Sequence, residues 1–379
     1  MKADGVFILA AKRLPQGRYG GSLAGEGAVR LGQHCVSAII QDPARPALSQ
    51  LIWGMARSHT QGMNPGRTIA LGSGLPVDVP ATTVNMACGS SLQALIFGAL
   101  VLQGEGKGAV LVGGSEAMSD TPHLLPGLRW GYRMGHRSLP DVMHQDGLRC
   151  PITGLLMGET IERLAARYGV SREASDAFAL RSHHRAGSAD FSGELLAHPK
   201  LAADECVRPE VTLETLASLQ PVFSKEGQIT AGNASALSDG AAALLLGRGP
   251  EAEDQVALAR ILGWSESAVD PLDMGEAPVP AVRRLLAQHG LVVGDIDLWE
   301  INEAFAAQVL VCANQLNLDP EKLNVAGGGV ALGHPIGASG ARIVVTLLHQ
   351  LRQRGGGLGV ATLGIGGGLG LALLLEVRG

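Results

Sequence analysis

Cys88 lies in the run Val84-Asn85-Met86-Ala87-Cys88-Gly89-Ser90-Ser91. Before it, Val79 to Val84 is rich in β-branched residues and suits a strand. After it, Leu92, Leu95, Ile96, Ala99, Leu100 and Leu102 recur at helical spacing. The pattern puts a thiol where a strand turns into a helix, with Gly89, Ser90 and Ser91 keeping the turn small and capping the helix. The positive end of a helix dipole lowers a thiol pKa and enriches the nucleophilic thiolate, so covalent catalysis is one expectation. A buried structural cysteine is the other, and the commoner fate of a lone Cys.

The other cysteines, Cys35, Cys150, Cys206 and Cys312, are far apart and form no C-x-x-C pair. That argues against a zinc site or a disulfide framework and fits a reducing compartment, so a cytoplasmic location is expected. A weak internal repeat gives Cys88 a companion. Residues 88–114 and 333–367 share an order: reactive turn, small residues, helix, basic Gly-rich link, strand, Gly-Gly. Two similar halves would set their helix N-termini close together and bring Cys88 and His334 to one site.

The elements that must hold such a site are an α/β alternation. Strands are expected at Val6–Ala11, Leu51–Met55 and Lys107–Gly114, with helices at Val29–Ile40 and Arg67–Leu71. Residues 115–234 are polar and broken by prolines, and read as an inserted loop-rich region with helices at Glu159–Tyr168 and Arg172–Ser188. The core returns with strands at Ala241–Leu246, Arg260–Gly263 and Leu298–Ile301 and helices at Ala277–Gln288 and Ala304–Leu316. The domain reading is residues 1–114 with 235–258 as one half, 115–234 as the insertion and 259–379 as the second half. The uncharged run Gly355 to Leu375 is dense in glycine and reads as paired strands rather than a membrane span. No apolar h-region precedes the first strand, so no signal peptide is expected. With 379 residues the chain can bury a large core, and 17% charged residues with 53 glycines point to tightly packed layers. A net charge of -5 leaves no basic field, so nucleic acid is excluded as the main partner.

Six motifs stand in order: "NMACGSS", "GGSEAMS" (Gly113 to Ser119), "MGET" (Met157 to Thr160), "TAGNASALSDGAAA", "NEAFA" (Asn302 to Ala306) and "GGGVALGHPIGASG" (Gly327 to Gly340). Together they resemble the thiolase family (acetyl-CoA acetyltransferases and 3-ketoacyl-CoA thiolases), over most of the chain. The resemblance implies two duplicated βαβαβαββ halves, each with a mixed five-stranded sheet. They stack in five layers, helix-sheet-helix-sheet-helix, with an inserted loop domain that binds CoA. It also implies an acyl-CoA-dependent acyltransferase of fatty acid metabolism, with no metal and no cofactor beyond the coenzyme A thioester that is its substrate. The implied partners are acyl-CoA, CoA and further copies of the chain in a homodimer or homotetramer, with no membrane.

Carried over residue by residue, Cys88 matches the nucleophile that holds the acyl group, and His334 the base that takes its proton; a histidine titrates near neutrality. His334 and Asn302, with a water on Asn302, match an oxyanion hole for the CoA thioester. The amides of Cys88 and Gly366 match a second hole for the acyl-enzyme. Met157 matches a substrate-pocket residue, Ser235 the loop lining the pantetheine tunnel, and Arg208 a contact of the adenine nucleotide. Glu303 reads as an anchor of its loop, and His123, His136 and His144 as solvated.

The pattern breaks at one position. The family ends on Cys-x-Gly-Gly-Gly, whose cysteine moves the proton at the substrate α-carbon; here that position is Gly364. Leu156 also stands where many biosynthetic members have a histidine. Three explanations stay open. A water or another side chain, Cys150 among them, replaces the thiol; the protein transfers or hydrolyses acyl groups without C–C chemistry; or the glycine is a degenerate or engineered change. The competing function class is an impaired acyl-CoA-binding protein or partner subunit. A β-ketoacyl synthase is disfavoured, because those enzymes carry a second histidine where this chain has Asn302.

Overall fold

The computed structural model describes residues 2–41, 46–105, 108–249 and 257–378, so Lys107, where the third strand is expected to start, lies outside the described residues. Among the described residues, ten strands form one hydrogen-bonded sheet: β1 (Lys2–Arg13), β2 (Gly17–Arg18), β3 (Leu48–Gly54), β4 (Ala81–Val84), β5 (Ala109–Ala117), β6 (Ser238–Arg248), β7 (Ala259–Ala268), β8 (Leu298–Ile301), β9 (Gly357–Ile365) and β10 (Leu369–Val377). The order is β4-β3-β5-β6-β1-β7-β10-β9-β8, with β2 attached to β6. Strands β4, β3 and β5 run parallel, as do β8 and β9; the inner neighbours are antiparallel.

The first half reads β1, helix Ala28–Ile40, β3, helix Pro65–Gly72, β4, helix Ser90–Glu105, β5, β6. The second repeats it with β7, helix Pro278–His289, β8, helix Ala306–Leu316, helix Ser339–Gln353, β9, β10. Two details differ from expectation. The halves are not separate sheets: β1 pairs antiparallel with β7, Val6 opposite Ile261 and Ile8 opposite Ala259, and the ladder runs through the join. And the second half shows four strands among the described residues. Its fifth is reduced to a single parallel bridge, Trp299 to Leu323, because Asn324 turns the chain in a left-handed conformation, φ 47°.

The layers follow from which faces are apolar. Helices Ser90–Glu105 and Ser339–Gln353 lie in the middle, where Leu92, Leu95, Ile343 and Leu347 share a core with Val112 and Leu244 of one half and Leu363 and Leu373 of the other. A helix covered on all sides is apolar all round. Ala87–Gly104, among the described residues the one helix long and apolar enough to cross a membrane, is this covered central helix. Helices Ala28–Ile40 and Pro65–Gly72 pack outside the first half, and Pro278–His289 and Ala306–Leu316 outside the second.

The two central helices meet at their N-termini. The Ala341 N–H donates to Ser91 Oγ at 2.9 Å, and a Cβ on Gly340 would stand 2.5 Å from the Leu92 nitrogen, so this approach needs glycine. The run Gly357 to Val377 is a hairpin of buried strands. Strand β5 extends through Ser115, Glu116 and Ala117, three residues past the boundary read from the sequence. These polar residues are tolerated in a buried strand because Ser115 Oγ accepts from Trp53 Nε1 and Glu116 accepts backbone amides.

Candidate active site

The site gathers at the carboxyl ends of parallel strands, where open α/β sheets leave a crevice. Arg57 follows β3, Cys88 follows β4, Glu116 lies at the end of β5, Asn302 follows β8 and Gly366 follows β9.

The Cys88 elbow is held rather than loose. Ala87 is a non-glycine residue at φ 45°, a strained conformation of the kind found at functional sites. Ser90 Oγ donates to the Ala87 carbonyl at 2.7 Å and accepts from the Met86 N–H at 2.9 Å. Asn85 Oδ1 accepts from the Ala87 N–H at 3.0 Å. Cys88 is half-buried and adjoins a small apolar cluster of Met118, Met143, Leu148 and Ile336.

The expected lowering of the thiol pKa is not what the fold produces. Burial pushes the Cys88 thiol up to about 11, outweighing the Arg57 charge and the hydrogen bonds from the amides of Gly366 and of Cys88 itself, while Glu116 adds to the rise. Burial is the largest of these causes. A thiol held protonated needs a base, and a neutral His334 has a lone pair to offer. Burial, then the charges of Arg342 and Arg57, bring its pKa down to about 3, so the imidazole is neutral. Its Nδ1 lies 2.5 Å from Ser339 Oγ, and that hydroxyl donates to the Pro335 carbonyl at 2.9 Å. Ser339 can therefore only accept from His334, which places the proton on Nδ1 and leaves a lone pair on Nε2. Asn302 Nδ2 stands 3.4 Å from that Nε2.

Asn302 is 2% exposed, and its Oδ1 has no hydrogen-bond partner among the described residues, a buried acceptor suited to hold a water. Its loop is tied to the 230–237 loop: the Ser235 N–H donates to the Ala304 carbonyl at 3.0 Å, the Ala306 N–H to the Asn233 carbonyl at 2.9 Å, and the His334 N–H to the Ala236 carbonyl at 3.1 Å. Ser235, half-exposed, thus sits between Asn302 and His334. Glu303 is buried and accepts from Asn324 Nδ2, Ser182 Oγ and the Val330 N–H, the bonds of an anchor. Met157 opens the helix Met157–Tyr168, and a Cβ on Gly366 would lie 3.5 Å from its sulfur. Arg208 stands apart: it is exposed, and its N–H donates to His183 Nδ1 at 3.2 Å.

Gly364 of β9 pairs with Gly370 of β10 and has none of the positive φ seen at Gly367 and Gly368. Space is what excludes a side chain there: a Cβ would stand 2.9 Å from the Met274 carbonyl oxygen. Cys150 is buried in a turn of the inserted segment. Burial would raise its thiol, but hydrogen bonds from Thr153 and Ile152 bring it below the ordinary value. Burial raises the thiols of Cys35, Cys206 and Cys312 to about 12. His123, His136 and His144 are exposed.

Three residues of the site are not legible in the sequence. Ser339 stands inside the last of the six motifs, and only its distance to Nδ1 reveals it. Arg57 and Glu116 have one signal, their place just after and at the end of strands parallel to the one that carries Cys88.

Residues 6–249 match the thiolase N-terminal domain and residues 255–377 the thiolase C-terminal domain. An acetyl-CoA acetyltransferase of Chromobacterium violaceum is 43% identical, over 98% of this chain and 99% of its own. A probable acetyl-CoA acyltransferase of Staphylococcus aureus is 42% identical over 98% of each. Among solved structures, the acetyl-CoA acetyltransferase of Bacillus anthracis superposes with a TM-score of 0.94 at 40% identity, covering 99% of both chains. A thiolase of Ascaris suum in complex with coenzyme A gives 0.94 at 37% identity, covering 99% of this chain and 100% of that one.

Proposed function

Because the chain belongs to the thiolase family and is an acyltransferase of that family, we propose that it transfers acyl groups from coenzyme A through a thioester on Cys88. The observation that carries this reading is the Asn302 Nδ2–His334 Nε2 approach of 3.4 Å, set where the helix that starts just after Cys88 meets, N-terminus to N-terminus, the helix that follows His334. In the reaction, Cys88 gives its proton to His334 Nε2 and its sulfur attacks the thioester carbonyl. The new Nε2–H and the group on Asn302 then face one oxyanion. Coenzyme A leaves as the thiol with that proton, and the acyl-Cys88 oxygen rests on the two amides. Met157 lines the acyl pocket, Ser235 the path of the pantetheine arm, and Arg208 lies toward the nucleotide end. The coenzyme A complex of the Ascaris suum thiolase supports the choice of carrier.

Intact-mass and peptide mapping after mixing with acetyl-CoA tests the reading: the acetyl adduct belongs on Cys88. An adduct on Cys150 with Cys88 free would overturn it.

Gly364 favours a second reading of the half-reaction after acylation. With no side chain at 364 and the Met274 carbonyl closing the space, the group that moves the α-carbon proton in the family motif is absent. Acyl transfer to an acceptor thiol or to water needs no such group, and remains open to this site where condensation and thiolysis are impaired.

A further inference from the structure

Arg57 takes no part in the acylation chemistry, yet it lies close to it: Ala56, the residue before it, packs on the same apolar cluster as Cys88. It is 5% exposed, and none of its three guanidinium nitrogens has a hydrogen-bond partner among the described residues. A buried guanidinium left without acceptors is strongly unfavourable, so such a group is commonly completed by an anion. Glu116, whose charge it feels, uses its oxygens otherwise: Oε1 accepts from the Arg57 backbone N–H at 3.2 Å, and Oε2 from the Ala56 and Gly337 N–H groups at 3.2 and 2.9 Å. The guanidinium lies under Gly147, where any Cβ would collide with Nη2. The next residue, Leu148, belongs to the apolar cluster of Met118, Met143 and Ile336 that touches Cys88. The Arg57 charge reaches both Cys88 and His334. An apolar wall beginning at the reacting sulfur, with one planar cationic fork beside it, suits an aliphatic chain that ends in a carboxylate. The phosphates of coenzyme A are held away from this place by the whole pantetheine arm.

We propose that Arg57 receives a carboxylate at the far end of the acyl group, so that the preferred donor is the coenzyme A monothioester of a short dicarboxylic acid. The inference rests on the Cys88 acyl-transfer reading. The step is the same: the Cys88 sulfur bonds the thioester carbonyl, the bond to the coenzyme A sulfur breaks, and the Cys88 proton leaves on coenzyme A by way of His334. The distal carboxylate stays ionised on Arg57.

Succinyl-CoA and butyryl-CoA test it on the full chain, since their acyl groups have equal carbon number and differ in the carboxylate. Rates of Cys88 acylation are read by quenched intact mass. The succinyl adduct forms faster by on the order of 100-fold, because a site with buried donors rejects an analogue lacking the acceptor. Arg57→Leu abolishes that preference, and Arg57→Lys, which keeps charge but loses the fork, keeps part of it. Should Arg57→Leu fail to fold, shown by circular dichroism, the ratio in the parent protein decides alone. Butyryl-CoA reacting as fast as succinyl-CoA in the parent, or a folded Arg57→Leu protein that keeps the preference, overturns the inference. Acetyl or butyryl adducts without succinyl overturn the inference alone. No adduct on Cys88 from any donor overturns the acyl-transfer reading and the inference with it.

Discussion

At the scale of residues, burial holds the two candidate reacting groups in their neutral forms. Burial lifts Cys88 to about 11 and drops His334 to about 3, so neither carries charge near neutrality before substrate arrives. Alkylation of Cys88 by iodoacetamide should therefore keep rising with pH past the free-thiol value of about 8.5, with its midpoint near 11. A plateau below 8.5 would mean that the helix end, not the apolar cluster, governs the thiol. Asn302 gives a second test. Its side chain faces His334 Nε2, and removing one oxyanion donor commonly costs on the order of 10²–10³ in rate. Asn302→Ala should slow Cys88 acylation by that factor while circular dichroism is unchanged; acylation at the parent rate removes Asn302 from the mechanism.

At the scale of elements, the proposed limit on C–C chemistry is tested at β9. Its backbone at Gly364 is ordinary, so Gly364→Cys meets no forbidden angle but must displace the Met274 carbonyl. Such overpacking typically costs about 1–3 kcal/mol. Gly364→Cys and Gly364→Ala should lose similar stability in urea melts. The cysteine variant alone should gain condensation activity, by up to the 10²–10⁴ range of a general acid or base. Acyl exchange between thiols, which moves no carbon-bound proton, should be unaffected by the missing thiol. A folded cysteine variant no faster than its parent would show that another group moves the proton. The elbow, the repeat and the central helices were legible because small residues and apolar spacing write them into the local sequence. The raised thiol was not, since Met118, Met143, Leu148 and Ile336 come from four separate segments. Nor was the role of Ser339, which depends on where its hydroxyl proton points.

At the scale of the whole molecule, the inserted segment carries an apolar face without cover in one chain: Trp130 is 86% and Met134 93% exposed, with Leu125, Leu128 and Leu139 also exposed. Exposed apolar side chains concentrated in one segment suit an interface. A second copy of this chain is the expected occupant, and light scattering at micromolar concentration should give a multiple of 39.1 kDa. The monomer mass would reject it.

The join between β1 and β7 also says something about descent. These two strands open the two halves at the same place in their order, and they pair antiparallel with each other. Outward from them, β6, β5 and β3 on one side answer to β10, β9 and β8 on the other. Two copies of one strand related by a two-fold axis meet in just this way. The single chain thus has the symmetry of a dimer of half-sized proteins, fused end to end. One half carries the thiol, the other the histidine and the asparagine. A half alone would present the unpaired edge of β1 or β7 to other chains, and would hold only part of the reaction.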